Sequence, residues 1–342
     1  MDPLGPAKTL EVREPSLGLR ATLVIDNVAL GPAIGGLRMA PDVSAEECAR
    51  LARAMTLKNA AAGLAHGGGK SVLAGDPRMP RADKERLIRA FAHALRNESD
   101  YLFGPDMGTD ETCMAWIKDE IGRAVGLPAE IAAPAAGFAL EGARVAVQGF
   151  GAVGRHAARF LAAKGARLVA ASDSRGTVQD PNGLDVAALA ALKAAGRSVL
   201  DYPRGEKRTC EAVLDAACEI WIPAARPDVV REENAPRLKA RLVLQGANIP
   251  FTAGAEKALA ARGVLVIPDF IANAGGVICA AMEYRGATRA AAFDAIAEKI
   301  RANTAALLAE VKARGALPRE AAVALAAARV MKAASWRRFG IL

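Results

Sequence analysis

The sequence predicts an α/β fold in two domains, the second built as a doubly wound, mostly parallel sheet. Three observations carry this. At 342 residues the chain exceeds what one small core serves. From Ala143 onward, short apolar strands alternate with helical segments, as in a parallel sheet covered on both faces. Between the first such strand and the first such helix lies Gly149-Phe150-Gly151-Ala152-Val153-Gly154, a glycine-rich turn.

The elements follow in order. Residues 19–30 (LRATLVIDNVAL) are rich in β-branched side chains and end in a Gly-Pro turn, so they are expected as strand. Ser44 suits an N-cap for a helix over 44–62, with Glu46 and Glu47 in the first turn and Leu51, Ala54 and Met55 at helical spacing. The stretch Gly67-Gly68-Gly69-Lys70 follows, then a short apolar strand at Val72-Leu73-Ala74. Residues 82–97 and 109–125 have amphipathic helical patterns. Pro134-Ala135-Ala136-Gly137 suits a hinge, giving a first domain over 1–135 and a second over 136–318. In the second, Arg144–Gln148 and Leu168–Ala171 are strands around a helix at 152–164. Ile220–Pro223, Leu242–Leu244 and Val264–Ile267 are further strands. From residue 288 the chain is Ala-rich and helical, broken at Pro318; the last helix, 319–342, is expected to pack back on the first domain.

Composition narrows the function. Hydrophobic residues at 52% and charged residues at 24% describe a folded globular chain. Aromatics at 4% imply cores packed from small side chains. The net charge is +8, but 45 Lys and Arg are interspersed with 37 Asp and Glu, so no nucleic-acid partner is expected. Cys48, Cys113, Cys210, Cys218 and Cys279 contain no Cys-x-x-Cys, and His66, His93 and His156 no His-x-x-x-His. Neither a disulfide framework nor a metal site is expected, and a reducing, cytoplasmic setting is. No apolar run has the length of a signal peptide core or a membrane span, so no membrane partner is expected.

The glycine turn follows the strand RVAVQ directly and opens a helix, as a dinucleotide-binding fingerprint requires. Gly149 would make the tight turn, Gly151 would admit a pyrophosphate to the backbone, and Gly154 would let helix and strand pack closely. The helix N-terminus offers N–H groups and a positive dipole to the anion. The next strand ends at Ser172-Asp173, where a Rossmann-type domain places an acid for the ribose hydroxyls, with Ser174 and Arg175 beside it. Asp173 would repel a 2′-phosphate and Arg175 would pair with one. The expected cofactor is NAD, with NADP as the alternative.

Gly68-Gly69-Lys70-Ser71 ends like a phosphate-binding loop. However, the required first glycine falls at Leu64, and the order of elements is reversed. A lysine after three glycines has another use. Sunk into a cleft, it loses its proton readily through desolvation or a second cation such as Lys58, and becomes a base.

Several blocks, in order, resemble the glutamate/leucine/phenylalanine/valine dehydrogenase family. They are Gly31-Pro32-Ala33-Ile34-Gly35-Gly36-Leu37-Arg38-Met39, Met55-Thr56-Leu57-Lys58-Asn59-Ala60, Gly67-Gly68-Gly69-Lys70 and Pro105-Asp106-Met107-Gly108-Thr109. In the second domain Gln148–Gly154, Ser172-Asp173-Ser174-Arg175-Gly176, Gln245-Gly246-Ala247-Asn248 and Ala272-Asn273-Ala274-Gly275-Gly276-Val277 agree. The resemblance runs from about residue 18 to 335. It implies reversible, NAD(P)-dependent oxidative deamination of an L-amino acid to its 2-oxo acid and ammonia, by a homo-oligomer.

The resemblance also implies roles. Lys58 would hold the substrate α-carboxylate, Lys70 would move protons, and Asp106 would share them. Gly35 and Gly36 would line the carboxyl region, while Asn248 would serve both cofactor and substrate and Asn273 the cofactor. Glutamate-specific members carry a lysine in the block that here has Ile34, and a hydroxyl residue where Ala280 stands. With Gly104, these give an uncharged pocket closer to the leucine-type members, and an apolar amino acid is expected rather than glutamate. Family members also carry a longer segment than residues 126–143 (GLPAEIAAPAAGFALEGA), which suggests as an alternative a non-catalytic dinucleotide-binding relative; a further alternative is a glutamate dehydrogenase whose carboxylate partner is displaced.

Overall fold

The computed structural model describes Asp2, residues 4–121 and residues 140–336. The interdomain segment singled out above lies largely outside the described residues. The chain packs as two compact units, described separately: Met1–Ala129 with Ala274–Lys299 and Val323–Leu342, and Glu130–Asn273 with Ile300–Ala322.

The first unit is built on a five-stranded mixed sheet. Its strands are β1 (Lys8–Glu14), β2 (Leu19–Asn27), β3 (Ala33–Ala40), β4 (Gly67–Ala74) and β5 (Tyr101–Pro105), in the order β1-β2-β4-β3-β5. β1 and β4 run antiparallel to β2; β4 and β5 run parallel to β3. Three helices follow their strands: α1 (Ala45–Ala61), α2 (Arg81–Ala94) and α3 (Glu111–Ile121). Ser44 caps α1 as expected, accepting from the Glu47 N–H at 3.1 Å. Leu23, Ile25, Leu37 and Met39 pack with Leu87, Phe91, Phe103 and Ile117 on the α2–α3 face. Val24 and Val72 meet Cys48 and Ala52 of α1 on the other. Because successive strand side chains alternate, Ile34, Gly36 and Arg38 share one face of β3, opposite to Leu37 and Met39.

Two expectations change here. The glycine stretch does not precede the strand expected at Val72–Ala74 but forms its first half: β4 begins at Gly67. Its glycines serve close packing, since a Cβ at Gly68 would stand 2.0 Å from the Thr56 backbone nitrogen of α1. The segment read as a turn also continues into β3, whose glycines and arginine hide a strand from local propensity.

The second unit holds β6 (Arg144–Gln148), β7 (Arg167–Ser172), β8 (Thr177–Gln179), β9 (Glu206–Arg208), β10 (Ile220–Pro223), β11 (Leu242–Leu244) and β12 (Leu265–Ile267). Their order is β12-β11-β10-β6-β7-β8-β9, parallel from β12 to β7 and antiparallel at β8 and β9. Helices α4 (Ala152–Ala163), α5 (Val186–Ala194) and α6 (Ala253–Ala261) lie between strands, and α7 (Asp269–Ala272) follows β12. Trp221, fully buried among Val213, Val243, Phe251 and Leu259, donates its indole N–H to the Val213 carbonyl at 3.0 Å.

The chain closes with α8 (Gly275–Tyr284), α9 (Arg289–Arg314) and α10 (Pro318–Ser335). Ala274–Lys299, which the sequence boundaries put in the second domain, pack with the first unit. The reason is the buried face of α8, where Ala280 clusters with Ile34 and Leu102. No described helix is long and apolar enough to cross a membrane.

Candidate active site

The centre of the first unit is a buried charge cluster on the α1 face of the sheet. Lys70 on β4 is 2% exposed, and its ammonium donates to Asp106 Oδ2 at 2.7 Å. Arg38 on β3 donates to the same oxygen through Nε at 2.8 Å and also pairs with Glu47 of α1. The loop after β5 holds Asp106 in place. Its N–H donates to Thr109 Oγ1 at 3.0 Å, and that hydroxyl donates to the Leu37 carbonyl at 2.7 Å. Lys70 is fixed from behind: its carbonyl accepts from Cys48 Sγ at 3.2 Å.

These surroundings set the charges. Burial pushes the Lys70 ammonium below the ordinary lysine range, Arg38 adds to this by repulsion, and Asp106 offsets part of it. Burial alone would raise Asp106, yet Lys70 and Arg38 together hold its carboxyl well below the usual carboxylate range. The pair thus sets a carboxylate favoured as the anion beside a lysine shifted toward its neutral form. Burial also pushes the Cys48 thiol up to about 12, so Cys48 is a structural donor rather than a nucleophile.

Gly36 opens the space above this pair. A Cβ there would stand 2.8 Å from Asp106 Cβ, 2.9 Å from the Pro105 carbonyl and 3.2 Å from Lys70 Nζ. Gly35 faces the sheet instead, where a Cβ would stand 1.9 Å from the Gly69 carbonyl oxygen. Tyr101 donates to the Gly35 carbonyl at 2.8 Å. Gly36 pairs in register with Gly104, and Ile34 with Leu102. Ile34, Leu102 and Ala280 are each at most 5% exposed and form one small apolar cluster. Lys58 is buried in the last turn of α1. Its neighbour Asn59 donates to the Gly67 carbonyl, while Asn59 Oδ1 is buried without a hydrogen-bond partner among the described residues.

Lys70, Asp106, Gly36, Ile34, Gly104 and Ala280, all candidates from the sequence, fall within this one unit. Arg38, Glu47, Tyr101 and Thr109 support them and are not among those candidates. An arginine inside the apolar strand AIGGLRMA was the available signal, because a charge there needs partners.

In the second unit the glycine turn has the expected form. Gly149 has φ +86, and Gly154 has no room for a Cβ, which would lie 2.2 Å from the Gly149 carbonyl oxygen. Gly151, by contrast, is the exposed N-cap of α4, with no side-chain cap and open space where a Cβ would project. Ala152 and Val153 are exposed beside it, whereas the Phe150 side chain is wholly buried and can offer only its backbone. Asn273 donates to the Gly246 carbonyl at 3.1 Å and to Asn248 Oδ1 at 3.0 Å. Asn273 Oδ1 and Gln148 Oε1 are buried and without partners among the described residues. An open cradle at an uncapped helix N-terminus, with buried polar atoms awaiting partners, fits a dinucleotide.

Asp173 is already engaged by its own chain. Its Oδ1 accepts from Ser198 Oγ and the Arg175 N–H, each at 3.0 Å. Its Oδ2 accepts from Lys193 Nζ at 2.8 Å and the Val199 N–H at 2.9 Å. Ser174 and Arg175 are exposed at the tip of the turn that Asp173 closes with Gly176.

The profile described as Glu/Leu/Phe/Val dehydrogenase, dimerisation domain, matches residues 6–123, and the one described as Glutamate/Leucine/Phenylalanine/Valine dehydrogenase matches 121–338. A glutamate dehydrogenase of Aeropyrum pernix is 39% identical over 293 residues, covering 75% of this chain and 70% of its own. An NADP-specific glutamate dehydrogenase of Saccharolobus shibatae is 38% identical, covering 75% and 69%. Among solved structures, a hetero-hexameric glutamate dehydrogenase of Thermus thermophilus in a Leu-bound form superposes with a TM-score of 0.88. It is 29% identical and covers 98% of this chain and 90% of that one.

Proposed function

Because the chain belongs to the Glu/Leu/Phe/Val dehydrogenase family and is an NAD(P)-dependent amino-acid dehydrogenase, we propose that its first unit carries the amino-acid chemistry around Lys70 and its second the dinucleotide around Gly151. The observation that carries this is the buried Lys70–Asp106 pair beneath Gly36. An L-amino acid and water become a 2-oxo acid and ammonia, and two electrons leave the α-carbon as a hydride. Bound NAD(P) supplies the acceptor for that hydride. Lys70, neutral once its proton is lost, takes a proton from the attacking water and returns it to the departing amine. Asp106 remains anionic, orients the Lys70 ammonium and stabilises its charged form between those steps. Lys58 holds the α-carboxylate as a point charge, and Gly36, not Gly35, which faces the sheet, leaves room above the Lys70–Asp106 pair. Asn248 and Asn273 serve the dinucleotide together with Gly149, Gly151 and Gly154.

Two readings of the side chain compete. The relatives at 38–39% identity are glutamate dehydrogenases, so similarity supports glutamate ahead of the apolar substrate expected from Ile34. One feature of this chain supports the apolar reading: Ile34, Leu102 and Ala280 form a wholly apolar cluster, where a carboxylate would lose its water without gaining a partner. The deciding measurement is the ratio of kcat/KM for glutamate to that for leucine, valine and phenylalanine, followed through the absorbance of the reduced dinucleotide. Absence of turnover with any L-amino acid would overturn the proposed chemistry itself. We also place self-association in the first unit, which matches a dimerisation domain and whose β1 is an edge strand.

A further inference from the structure

The turn after β7 carries information on which dinucleotide the second unit takes. A carboxylate that selects NAD must offer lone pairs to the two ribose hydroxyls. An ionised carboxylate has about four acceptor positions. At Asp173 two donors reach each oxygen, from Lys193, Ser198, Val199 and the Arg175 backbone, all within 3.0 Å. Its side chain is 9% exposed, and the Lys193 ammonium compensates its charge. Asp173 is thus a strut that ties the end of β7 to α5 and to the Ser198 turn. Around it the exposed charges are predominantly cationic. Arg175, its side chain 65% exposed, stands at the tip of the turn. Arg197 lies close by, and both approach the single carboxylate of Asp201, at 4.0 and 3.5 Å. Counting Asp173, Lys193, Arg175, Arg197 and Asp201, three cations face two anions.

We infer that Lys193 silences Asp173 as a ribose acceptor and that Arg175, with Arg197 behind it, forms a subsite for the 2′-phosphate of NADP, so that this chain binds NADP at least as tightly as NAD. The inference rests on the dinucleotide reading of the glycine turn and reverses the preference that the sequence alone suggests for Asp173. A guanidinium at an exposed turn pairs with phosphate through two N–H groups, which a free ribose hydroxyl cannot exploit.

The test is equilibrium binding, by titration calorimetry on the full chain, of NADP and NAD and of the fragments 2′,5′-ADP and 5′-AMP. NADP binding as tightly as NAD or tighter, with 2′,5′-ADP tighter than 5′-AMP, is the expected result. NAD binding tighter than NADP would overturn the inference while leaving the dinucleotide reading intact. Failure of both dinucleotides to bind would overturn the two together. Arg175→Ala, at an exposed position with little bearing on folding, should weaken NADP and 2′,5′-ADP by about fivefold or more and leave NAD within twofold. Lys193→Met should uncover the charge of Asp173 and weaken NADP more than NAD. Equal effects of Arg175→Ala on both dinucleotides would also overturn the assignment.

Discussion

Lys70 Nζ and Asp106 Oδ2 are 2.7 Å apart in a buried site, and the pKa of each lies below its ordinary range. Burial and Arg38 shift the lysine toward its neutral, proton-accepting form, while the aspartate is held as an anion by the two cations. Lys70→Ala should lower turnover by about a hundredfold or more and leave dinucleotide binding nearly unchanged. Steady-state rates beside titration of the dinucleotide would show it. Equal turnover in variant and parent would remove Lys70 from the chemistry.

The same pair predicts a pH shift with a definite sign. Activity needs neutral Lys70, so kcat/KM should rise with pH as the ammonium loses its proton. Asp106 attracts that proton and holds the Lys70 pKa up. In Asp106→Asn the attraction is gone, and the rising limb should move to lower pH, with a lower plateau. A limb that moves to higher pH would mean that a different group titrates.

Gly35 and Gly36 are adjacent but should fail differently. Gly36→Ala places a methyl against Asp106 and the Lys70 ammonium, so the fold should survive and kcat should fall by about tenfold or more. Gly35→Ala drives a methyl into the Gly69 carbonyl between two hydrogen-bonded strands, which should impair folding. Circular dichroism melts beside kinetics separate the two. Similar melts and similar rates for both variants would contradict the alternation of faces along β3.

Ile34→Lys tests the side-chain pocket. The ratio of kcat/KM for leucine to that for glutamate should fall by about tenfold or more, because the cation penalises apolar side chains and rewards a carboxylate. An unchanged ratio would place the substrate side chain away from the Ile34–Leu102–Ala280 cluster.

Arg319 should prove a stabilising clamp of the second unit. It donates to Glu256 at 2.8 Å, to Asp269 at 2.8 Å and to the side-chain Oε1 of Gln245 at 2.8 Å. Asp269 in turn accepts at 2.8 Å from the Ile249 N–H, whose residue has φ +43, unfavourable for a β-branched side chain. Arg319→Met strands two buried carboxylates and should cost about 3 kcal/mol in denaturant unfolding. A loss below about 1 kcal/mol would show that solvent takes over both acids.

The residues that sequence alone made legible are those whose role is encoded locally. The turn Gly149–Gly154 is one: its glycines meet a φ of +86 at Gly149 and a packing limit at Gly154, both set within a few residues. The Ser44 cap and the strand RVAVQ are others. Lys70 and Asp106 were singled out by motif, but their proximity is a tertiary fact, since they lie 36 positions apart and meet only because β3 brings β4 and β5 into one sheet. β3 itself was hidden, because its glycines and Arg38 oppose strand propensity and are repaid by Tyr101, Glu47 and Asp106 from elsewhere in the chain. Asp173 makes the point most sharply. Its position after β7 signalled a ribose acceptor, yet Lys193 and Ser198, 20 and 25 residues downstream, take its lone pairs. A carboxylate has only so many acceptor positions, and which donors fill them is decided by folding rather than by motif.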